Sequence, residues 1–406
     1  MLDYPIRETR AYVDLDAFEH NLNLAAERVP GASIMPAVKA DAYGHGAIAI
    51  ASLCERWGAT MLAVANLEEY LVLRDNGITL PILILEDLFS AEIETALTAG
   101  ARLSAGSVEY ARLLSETAGR LGTTAMIHLN VDTGMGRMGL LSDTPVNALL
   151  HVASLANTTL EGVFSHFPSS DERDKEFSFA QIGALERILR EAEEQGVRPR
   201  YRHLANSGAI IDFPERVGWD LVRPGVMLYG MYPSEEVDHG VGLRPVMKVV
   251  SRLVKITRHA RNWTVGYGRT YAVRPGSLFG IVPIGYGDGY PRSLSNCGEV
   301  LVRGVRVPIA GRVSMDMIAV DLTRLGGGAA IGDEVVLLGE QARGEERAAD
   351  GAPERISAAD LARLVDTITY EITCDFTPRI PRLYTQGGRV VAMHSLREGY
   401  RELADR

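Results

Sequence analysis

The chain is poor in lysine. Only four lysines occur among its 42 basic residues, and arginine supplies the rest of the positive charge. They are Lys39, Lys175, Lys248 and Lys255. Because so few lysines serve the surface, each of them is a candidate for a specific chemical role.

Cysteine is also scarce and is scattered along the chain. The three cysteines, Cys54, Cys297 and Cys374, form no CxxC pair and are odd in number. This pattern argues against a disulfide framework and against a zinc ribbon, and it favours a reducing compartment, the cytoplasm. The nine histidines show no HxxxH spacing and no grouping with cysteine. We therefore expect no metal site.

Long apolar runs are missing as well. The longest semi-apolar stretch, from Ala47 to Val64, is interrupted by Glu55 and Arg56, so we expect no membrane span. The first ten residues, MLDYPIRETR, contain acidic residues and no apolar run, and are not expected to be a signal peptide. The formal net charge of −10 argues against a nucleic-acid surface. With 46% hydrophobic and 23% charged residues, the composition is typical of a globular protein.

The first part of the chain alternates apolar runs with helical patterns. After an initial short run, AYVDLD, eight strand candidates follow: SIMPAVK, TMLAVA, PILILE, ARLSAG, TAMIHLNV, LEGVFSHF, YRHLAN and DLVRPG. Amphipathic segments such as SVEYARLLSETAGRL and FSFAQIGALERILREAEEQG lie between them. Eight strands alternating with helices predict a parallel (β/α)8 TIM barrel, with a doubly wound open sheet as the alternative.

The pattern changes after about residue 242. The segment VMKVVSRLVKIT alternates like an exposed strand, GEVLVRGVRVPIAGR predicts a hairpin with Gly304 at its turn, and SAADLARLVDTITYEI predicts one helix capped by Ser357. The polar stretch GEQARGEERAADGAPER predicts a mobile surface loop. We expect an α/β barrel over residues 12–242 and a mainly antiparallel β domain over residues 243–395, with residues 1–11 packing on the β domain and residues 396–406 forming a tail.

Polar side chains mark the carboxyl ends of five predicted barrel strands. They are Lys39, Arg137, His166, the pair Asn206 and Ser207, and Arg223 with Gly225. Barrel enzymes build their active sites on this face. Any one of these residues could be polar only because the chain turns there, but the set of five favours a site.

Three of these positions indicate a definite chemistry. Burial behind the apolar strand IMPAV would lower the pKa of Lys39, and a neutral amine can form a Schiff base with an aldehyde. The Ser207 hydroxyl and the backbone amides around Gly225 could bind a phosphate, although Gly225 could equally serve only a turn. His166 is a candidate for stacking or proton transfer, and it could equally be a structural histidine. The segment GMGRMG formally matches a dinucleotide motif, but it does not open the first strand–turn–helix unit, and we discount it.

At this point the motifs can be compared with a known family. The segments AVKADAYGHG, DTGMGRMG, SHF, ANS, VRPGVMLYG, VGYGRTY, IGYGDGYPR, GRVSMDM and TYEITC resemble those of the alanine racemases, fold-type III pyridoxal-phosphate enzymes, in the same order and at similar spacing. The resemblance covers almost the whole chain. It implies an isomerase that interconverts L-alanine and D-alanine and supplies D-alanine for peptidoglycan. It also implies a head-to-tail homodimer whose active sites lie at the subunit interface.

The resemblance also implies roles for individual residues. Lys39 would hold pyridoxal 5'-phosphate and act as one base, and Tyr267 would be the opposite base, supplied by the other subunit. The cofactor-binding residues would be Lys39, Tyr43, Arg137, His166, Asn206, Ser207, Arg223, Gly225, Val226 and Tyr370. Among these, Arg223 would face the pyridine nitrogen, His166 would bridge Arg223 and Tyr267, and Arg137 would bond the phenolic oxygen. Arg137, Met315 and Asp316 would border the small amino-acid substrate, with Tyr286, Arg292 and Arg312 at the entrance.

The chemistry of racemisation agrees with these roles. A proton must leave one face of the substrate and return on the other, which requires two bases on opposite sides. An arginine does not readily give up a proton, so a pyridine nitrogen facing Arg223 would stay unprotonated. The ring would then be a weaker electron sink, which suppresses transamination.

One position departs from the family pattern. Relatives often have a carbamylated lysine where this chain has Asn130, and that anion supports the arginine matching Arg137. Asn130 carries no charge. We therefore expect a small anion, most plausibly chloride, between Asn130 and Arg137, unless the Asn130 carbonyl bonds the arginine directly. Some broad-specificity racemases also resemble this chain in having asparagine there.

Other functions of the same cofactor class remain as alternatives. A broad-specificity amino-acid racemase would use the same residues. Decarboxylases of this fold usually place a carboxylate at the pyridine nitrogen and aldolases need a metal, so Arg223 and the lack of a metal motif argue against both. A non-catalytic cofactor-binding protein of this fold would be a lone barrel without the domain that carries Tyr267.

Overall fold

The computed structural model describes residues 6–342 and 352–403. The chain divides into two compact units. The barrel unit consists of Glu19–Ala42 and Ile50–Leu243, and the β unit consists of Tyr43–Ala49 together with the described residues before Glu19 and after Leu243. The short segment Tyr43–Ala49 therefore groups with the β unit although it directly follows Lys39 in the chain. The predicted limits at residues 12, 242 and 395 stay predictions.

The described residues contain many short strands, eleven right-handed α-helices and several short 3-10 turns. The strands are β1 (Arg10–Asp14), β2 (Ser33–Ile34), β3 (Leu62–Val64), β4 (Ile82–Ile84), β5 (Arg102–Ala105), β6 (Ala125–Asn130), β7 (Thr158–Phe164), β8 (Tyr201–His203), β9 (Leu221–Val222), β10 (Met247–Arg252), β11 (Lys255–Arg258), β12 (Trp263–Val265), β13 (Tyr271–Val273), β14 (Leu278–Val282), β15 (Glu299–Val302), β16 (Val305–Pro308), β17 (Ile318–Asp321), β18 (Glu334–Gln341), β19 (Glu354–Ile356), β20 (Arg382–Gln386), β21 (Arg389–Ser395) and β22 (Gly399–Glu402). The helices are α1 (Leu15–Arg28), α3 (Ala47–Trp57), α4 (Leu67–Asp75), α5 (Ser90–Thr98), α6 (Val108–Leu121), α7 (Pro145–Ala153), α8 (Glu176–Glu194), α9 (Ser207–Asp212), α10 (Pro214–Val217), α11 (Ala358–Val365) and α12 (Thr369–Cys374), and α2 (Lys39–Tyr43) is a left-handed turn.

The barrel unit contains all eight predicted barrel strands. Strands β3 to β8 form a parallel sheet in chain order, and β2 pairs in parallel with β9. The ring closes through a bridge between Ala37 and Ala63 and through a hydrogen bond from the Arg223 amide to the Ala205 carbonyl. The (β/α)8 prediction is confirmed, and the carboxyl ends of the strands therefore meet at one face.

The outer helices follow from ordinary signals in the sequence. In α6, Ser107 caps the first turn by accepting from the Tyr110 amide, and Gly122 ends the helix with a φ of 64°. The helical spacing of Phe179, Ile182, Leu185 and Leu189 in α8 predicts a buried apolar face; the last three are buried, whereas Phe179 is 38% exposed. These helices cover the strands, so the barrel core lies between them and inside the ring of strands.

The β unit is built around a nine-stranded sheet. Its order is β16-β15-β18-β10-β1-β20-β21-β22, and the ninth strand, β19, pairs with β18 outside this order. Strand β1 runs antiparallel to β10 and parallel to β20, and the other pairs are antiparallel. The predicted hairpin of β15 and β16 turns at Arg303 and Gly304, with φ values of 53° and 69°. The mainly antiparallel β domain is confirmed.

Three local predictions for this region were inaccurate. The segment expected as one exposed strand divides into β10, which is mostly buried, and β11, which belongs to a separate three-stranded sheet. The helix expected after Ser357 breaks at Asp366, whose φ of 58° ends α11 before α12 begins. In the expected surface loop, residues 339–341 extend β18 and residues 354–355 begin β19, while residues 343–351 lie outside the described residues. Residues 396–406, expected to form a tail, include β22, which pairs with β21, and the extent of the tail stays a prediction.

The described residues contain neither a membrane-spanning helix nor a metal-binding cluster. No helix there is both long enough and apolar enough to cross a membrane. No group of three or more histidine, cysteine or acidic side chains is arranged to hold a metal ion in the same residues.

Candidate active site

Lys39 begins an unusual stretch of backbone. The four residues that follow it, Ala40 to Tyr43, all have φ values between 52° and 54°. Left-handed conformations are strained for residues that carry a Cβ and rarely occur in succession. The amide of Ala42 nevertheless donates to the carbonyl of Val38 and closes the turn. A strained turn directly after Lys39 is the kind of local cost that proteins retain at functional sites.

The carboxylate of Glu69 holds this turn in place. Its Oε1 accepts from the amide of Ala40 at 2.6 Å, and its Oε2 accepts from the amide of Ala65, next to β3, at 2.8 Å. Glu69 lies in the first turn of α4, where Asn66 caps the helix. One side chain therefore ties the backbone beside Lys39 to the neighbouring strand of the barrel.

The surroundings of Lys39 favour its neutral amine. Burial lowers the pKa of Lys39, the positive charge of Arg137 lowers it further, and Glu69 and Glu86 offset part of this effect. Arg223 also lowers it. A lysine with a lowered pKa can act both as a nucleophile toward an aldehyde and as a base near neutral pH.

Arg223 is buried at the end of β9 and bonds to several acceptors. Its Nη1 donates to His203 Nδ1 at 2.7 Å and to the His203 carbonyl at 3.0 Å, and its Nη2 donates to the Ser165 carbonyl at 2.7 Å. The guanidinium also lies over the Phe164 ring, 5.1 Å from its centre. Burial lowers the pKa of Arg223 to about 9, so this side chain still carries its charge at neutral pH.

His166 lies beside this arginine. Its Nδ1 is 3.4 Å from Arg223 Nη2 and accepts from it. Burial, followed by the charges of Arg223, Arg137 and Lys39, lowers the pKa of His166 to about 3. This imidazole is therefore neutral, with Nδ1 as an acceptor and the proton on Nε2. His166 therefore lies beside Arg223, and Lys39 is near enough for its charge to lower the pKa of His166.

Ser207 and Gly225 meet at the ends of β8 and β9. The Ser207 hydroxyl oxygen accepts from the amide of Gly225 at 2.9 Å and from the amide of Met227 at 3.2 Å, and Val226 lies between these two residues. Asn206 caps α9, because its side-chain oxygen accepts from the Ala209 amide at 3.1 Å and from the Ser170 hydroxyl at 2.8 Å. A hydroxyl grouped with backbone amides at two short helices suits an anion such as phosphate.

Arg137 and Asn130 are arranged differently from expectation. Asn130 is buried at the end of β6, whereas Arg137 is exposed. In the described part of the chain, no hydrogen bond joins the two residues and no acidic side chain pairs with Arg137. In the single chain, the exposed guanidinium of Arg137 can be hydrated and does not require a counter-ion.

In the β unit, two tyrosines expected at the phosphate lie side by side. The rings of Tyr43 and Tyr370 meet edge to face, with centres 6.2 Å apart. Gly44 allows this approach, because a Cβ there would lie 1.9 Å from the Thr373 carbonyl oxygen. The buried guanidinium of Arg382 donates to the Gly44 carbonyl and to three other backbone carbonyls. This arginine fixes the backbone that carries Tyr43.

Tyr267 lies at the tip of the β12–β13 hairpin and is 72% exposed. It is flanked by Gly266 and Gly268, whose φ values are 76° and 72°. A Cβ at Gly268 would lie 3.2 Å from the guanidinium carbon of Arg312. The exposed phenol of Tyr267 and the exposed arginine Arg312 thus belong to one surface.

Met315 and Asp316 lie on the same unit and are also exposed. The amide of Gly287, next to Tyr286, donates to the Met315 carbonyl at 2.9 Å. Asp316 pairs with Arg379 at 2.8 Å. Arg292 is exposed at the start of the short helical turn Arg292–Leu294.

Sequence reasoning missed several residues of the site. Glu69 and His203 directly hold the groups around Lys39 and Arg223, and Arg382 holds the backbone next to Tyr43. The only available signal was a polar residue within an otherwise apolar strand, such as His203 in YRHLAN. Glu69 offered no such signal, because an acidic residue in the first turn of a helix is ordinary.

Comparison with protein families gives two matches that together cover most of the chain. Residues 13–233 match the N-terminal domain of alanine racemase, and residues 246–384 match its C-terminal domain. Among curated proteins, alanine racemase 2 of Caldanaerobacter subterraneus is 41% identical over 388 residues, covering 95% of this chain and 97% of that protein. The alanine racemase of Halothermothrix orenii is 39% identical, covering 93% of this chain and 97% of its own length.

Solved structures give the same result. The alanine racemase of Clostridium difficile 630 is 33% identical and superposes with a TM-score of 0.89, covering 97% of this chain and 99% of that chain. The alanine racemase of Bacillus anthracis with bound L-Ala-P is 33% identical and has a TM-score of 0.87, covering 97% of this chain and 98% of that chain.

Proposed function

The chain belongs to the alanine racemase family, and from that premise we propose how its residues interconvert L-alanine and D-alanine with pyridoxal 5'-phosphate. It is an isomerase of the pyridoxal-phosphate class. The observation that carries the proposal is the grouping of a lysine of lowered pKa with a buried arginine and a neutral histidine at one end of the barrel. The comparisons do not favour the alternative reactions.

The donors of the barrel unit fit the cofactor. Lys39 offers an amine for an aldehyde, Arg223 offers a guanidinium for a ring nitrogen, and Ser207 with the nearby amides of Gly225 and Val226 offers donors for a phosphate. We assign Asn206, Tyr43 and Tyr370 to the same phosphate, and Arg137 to the phenolic oxygen. When bound, the cofactor supplies an aldehyde for covalent attachment of the substrate amine and a ring that withdraws electrons from the α-carbon.

The protein's own groups then move one proton. The Nζ atom of Lys39 takes or returns the proton on one side of the substrate α-carbon, and the hydroxyl of Tyr267 does so on the other. Arg223 keeps its charge and offers hydrogen bonds rather than a proton. Neutral His166 accepts from Arg223 at Nδ1 and so has its Nε2 proton to offer to the tyrosine oxygen, which would orient the phenol of Tyr267 for proton transfer.

We assign the second base to another copy of the chain. Tyr267 and Met315 are large exposed side chains with apolar surface, and Asp316 beside Met315 is exposed as well; an exposed apolar patch rimmed by polar residues commonly marks an interface. The proposal is a homodimer in which each active site takes Lys39 from one subunit and Tyr267 from its partner. We place the enzyme in the cytoplasm, which agrees with three cysteines that form no disulfide, and we assign its product D-alanine to peptidoglycan synthesis.

We also propose a chloride ion between Asn130 and Arg137. Asn130 is uncharged and Arg137 has no acidic partner among the described residues, so an anion arriving at this position would meet a positive charge. Dimer formation would bury the exposed guanidinium and increase its need for a counter-charge.

The main test is a direct assay of racemisation. Purified enzyme with cofactor is incubated with each L-amino acid separately, and the D-product is measured by chiral chromatography. L-Alanine should give the highest rate, and the Lys39→Ala variant should give none above background. An enzyme that racemises no amino acid would end the proposal, and equal rates with bulky substrates would favour broad specificity.

A further inference from the structure

Four buried polar residues on adjacent strands of the barrel form a continuous chain of hydrogen bonds. Arg223 Nη1 is 2.7 Å from His203 Nδ1, and His203 Nε2 is 2.8 Å from His128 Nδ1. His128 Nε2 is in turn 3.3 Å from Glu161 Oε2. Each of the four side chains is less than a tenth exposed. The proposed mechanism uses Arg223 but assigns nothing to the other three.

The direction of every bond in this chain follows from the chemistry of its first member. A guanidinium only donates, so His203 Nδ1 must be the acceptor and His203 Nε2 must carry the proton. That proton is donated to His128 Nδ1, which leaves His128 Nε2 to donate to the Glu161 carboxylate. All three bonds therefore point from Arg223 toward Glu161.

The expected charges agree with this arrangement. Burial lowers the pKa of His203 and of His128, so both imidazoles are neutral. Burial raises the pKa of Glu161, but the hydrogen bond from His128 and the charge of Arg102 lower it by more, so the carboxylate is ionised. The chain thus has a cation at one end and an anion at the other, joined by two neutral rings.

The backbone leaves room for this chain. The pairing of β6 with β7 shifts at one point: Ile127 pairs with Leu160, and the next residue, His128, pairs with Gly162. Glu161 is therefore the extra residue of a bulge. Bulges commonly redirect a side chain. At Gly162, a Cβ would lie 2.3 Å from His128 Nδ1, and any larger residue would displace the ring.

Among the described residues, no acidic side chain pairs directly with Arg223, and the hydrogen-bond partners of Arg223 are carbonyls and imidazoles. Its other charged or titratable neighbours are His166 and, through electrostatics, Lys39. At the far end, Arg102 lies 3.4 Å from Glu161, and Tyr201 stacks on His128 with ring centres 6.1 Å apart. Glu161 is therefore the anion to which Arg223 is connected by hydrogen bonds.

We propose that Glu161 is a positioning residue for racemisation, which acts through His128 and His203 to orient the Arg223 guanidinium and to balance its charge across the barrel. This inference rests on the proposed function, in which Arg223 faces the cofactor ring. A carboxylate is a stronger acceptor than a neutral group, and it strengthens each successive bond of a hydrogen-bonded chain.

The test replaces the charge but keeps the bond. In Glu161→Gln the amide oxygen can still accept from His128 Nε2, while the negative charge is lost. The matched control is Asp220→Asn, which removes a carboxylate that pairs with Arg202 at 2.6 Å in the same barrel but does not belong to the chain. Both variants are prepared as holoenzyme, and thermal unfolding is measured to confirm that they fold.

The first readout is independent of activity. In the native holoenzyme labelled with ¹⁵N-histidine, magnetic resonance should show His128 and His203 neutral, with their protons on Nε2. Glu161→Gln should move the His128 Nε2 proton signal upfield, and Asp220→Asn should leave it in place. Protonation of either ring on Nδ1, or an unchanged signal in Glu161→Gln, would overturn the proposal.

The second readout is kinetic. Glu161→Gln should lower kcat about tenfold with little change in KM, since coupled residues of one network commonly interact at this level. In a His203→Leu background, where the chain is already broken, the same change should alter kcat less than about twofold. A folded Glu161→Gln enzyme with native kcat would contradict the proposal.

Two further outcomes remain decisive. If Glu161→Gln does not fold, the Arg102→Gln variant is used instead, because Arg102 is the half-buried partner of Glu161. The His128 and His203 signals must then shift in that variant. Signals that do not respond would overturn the inference. If the native enzyme racemises nothing, the proposed function fails, while the resonance experiment still decides whether the hydrogen-bonded chain exists.

Discussion

The two groups of proposed site residues differ sharply in their surroundings. In the barrel unit, Arg223 and Ser207 are buried, and their polar atoms bond to neighbours of the same unit. In the β unit, Tyr267 is 72% exposed and Met315 is 51% exposed. The polar contacts of the first group are made within a single chain, whereas the second group is exposed and can contact whatever covers that surface.

This difference suggests a division of labour. A cofactor needs a preorganised set of donors, which a rigid barrel supplies. A base that acts from the opposite face can be supplied by a second subunit. The following experiments test whether the barrel group and the β-unit group act from different subunits, in order from the largest expected effect to the smallest.

Lys39→Ala should abolish racemisation, with a loss on the order of 10⁴-fold or more, because it removes both the cofactor attachment and one base. Borohydride treatment of the native holoenzyme should fix the cofactor on Lys39, as peptide mapping can show. Lys175→Ala is the matched control, since Lys175 pairs with Asp212 at 2.6 Å. An adduct on Lys175, Lys248 or Lys255 would contradict the assignment.

Tyr267→Phe should keep the cofactor but lower racemisation by about 10²–10⁴-fold, the usual contribution of a general base. Solvent hydrogen exchange should fall mainly with the L substrate, while Lys39 still serves the D substrate. Tyr271→Phe provides a control in the same hairpin, where the hydroxyl of Tyr271 donates to Asp321 at 3.0 Å. Small and equal losses in both directions would argue against Tyr267 as a base.

A mixing experiment tests the separation itself. Inactive Lys39→Ala and Tyr267→Phe proteins are combined under conditions that exchange subunits, and the activity is followed over time. Random pairing should restore about a quarter of native activity, because half of the dimers would each contain one intact site. Subunit exchange verified by mass spectrometry without recovery would place both residues in one chain.

Gly162→Ala should destabilise the barrel by about 1–3 kcal/mol, as expected when a side chain is forced into a packed interior. The added Cβ would lie 2.3 Å from the His128 ring. Gly183→Ala, at an exposed position of α8 with open space around it, should instead stabilise by about 0.5–1 kcal/mol. Denaturant unfolding compares the two, and similar effects would show that the His128 ring has room to move.

The smallest effect is expected for chloride. Activity should rise about twofold when chloride replaces a bulky inert anion at fixed ionic strength, because the cost of removing both charges from water offsets most of the attraction of an ion pair. Asn130→Leu should remove this response, and bicarbonate should have no effect because no lysine is available for carbamylation. Activity that does not depend on chloride in the native enzyme would remove the ion from the proposal.

The arrangement of the site was predictable where it depends on topology. The carboxyl ends of parallel strands must meet, so Lys39, His166 and Arg223 were expected together as soon as the eight strands were recognised. Motif resemblance added Tyr267 and Tyr370, which no periodicity could have indicated. The grouping of Tyr43 with Tyr370 follows from the same resemblance, and the structure brings their rings together.

Other features were not predictable because they depend on register and backbone geometry. Glu161 is directed toward His128 by a one-residue bulge, and a bulge leaves no clear signal in LEGVF. The break at Asp366 requires a left-handed residue that is not glycine, which propensity does not indicate. The exposure of Arg137 also differed from expectation, because single-chain burial cannot be inferred from a motif.

The left-handed turn after Lys39 has a consequence for how this protein can change. The left-handed conformation of each residue from Ala40 to Tyr43 costs about 1–2 kcal/mol of folding free energy relative to a right-handed one. Glycine at Ala40 or Asp41 would relieve that strain in the folded state, so selection for heat resistance alone would favour such replacements. Selection for catalysis would oppose them if the stiff turn is what aims the Lys39 amine. A lineage that keeps four non-glycine residues here therefore records which of the two pressures prevailed.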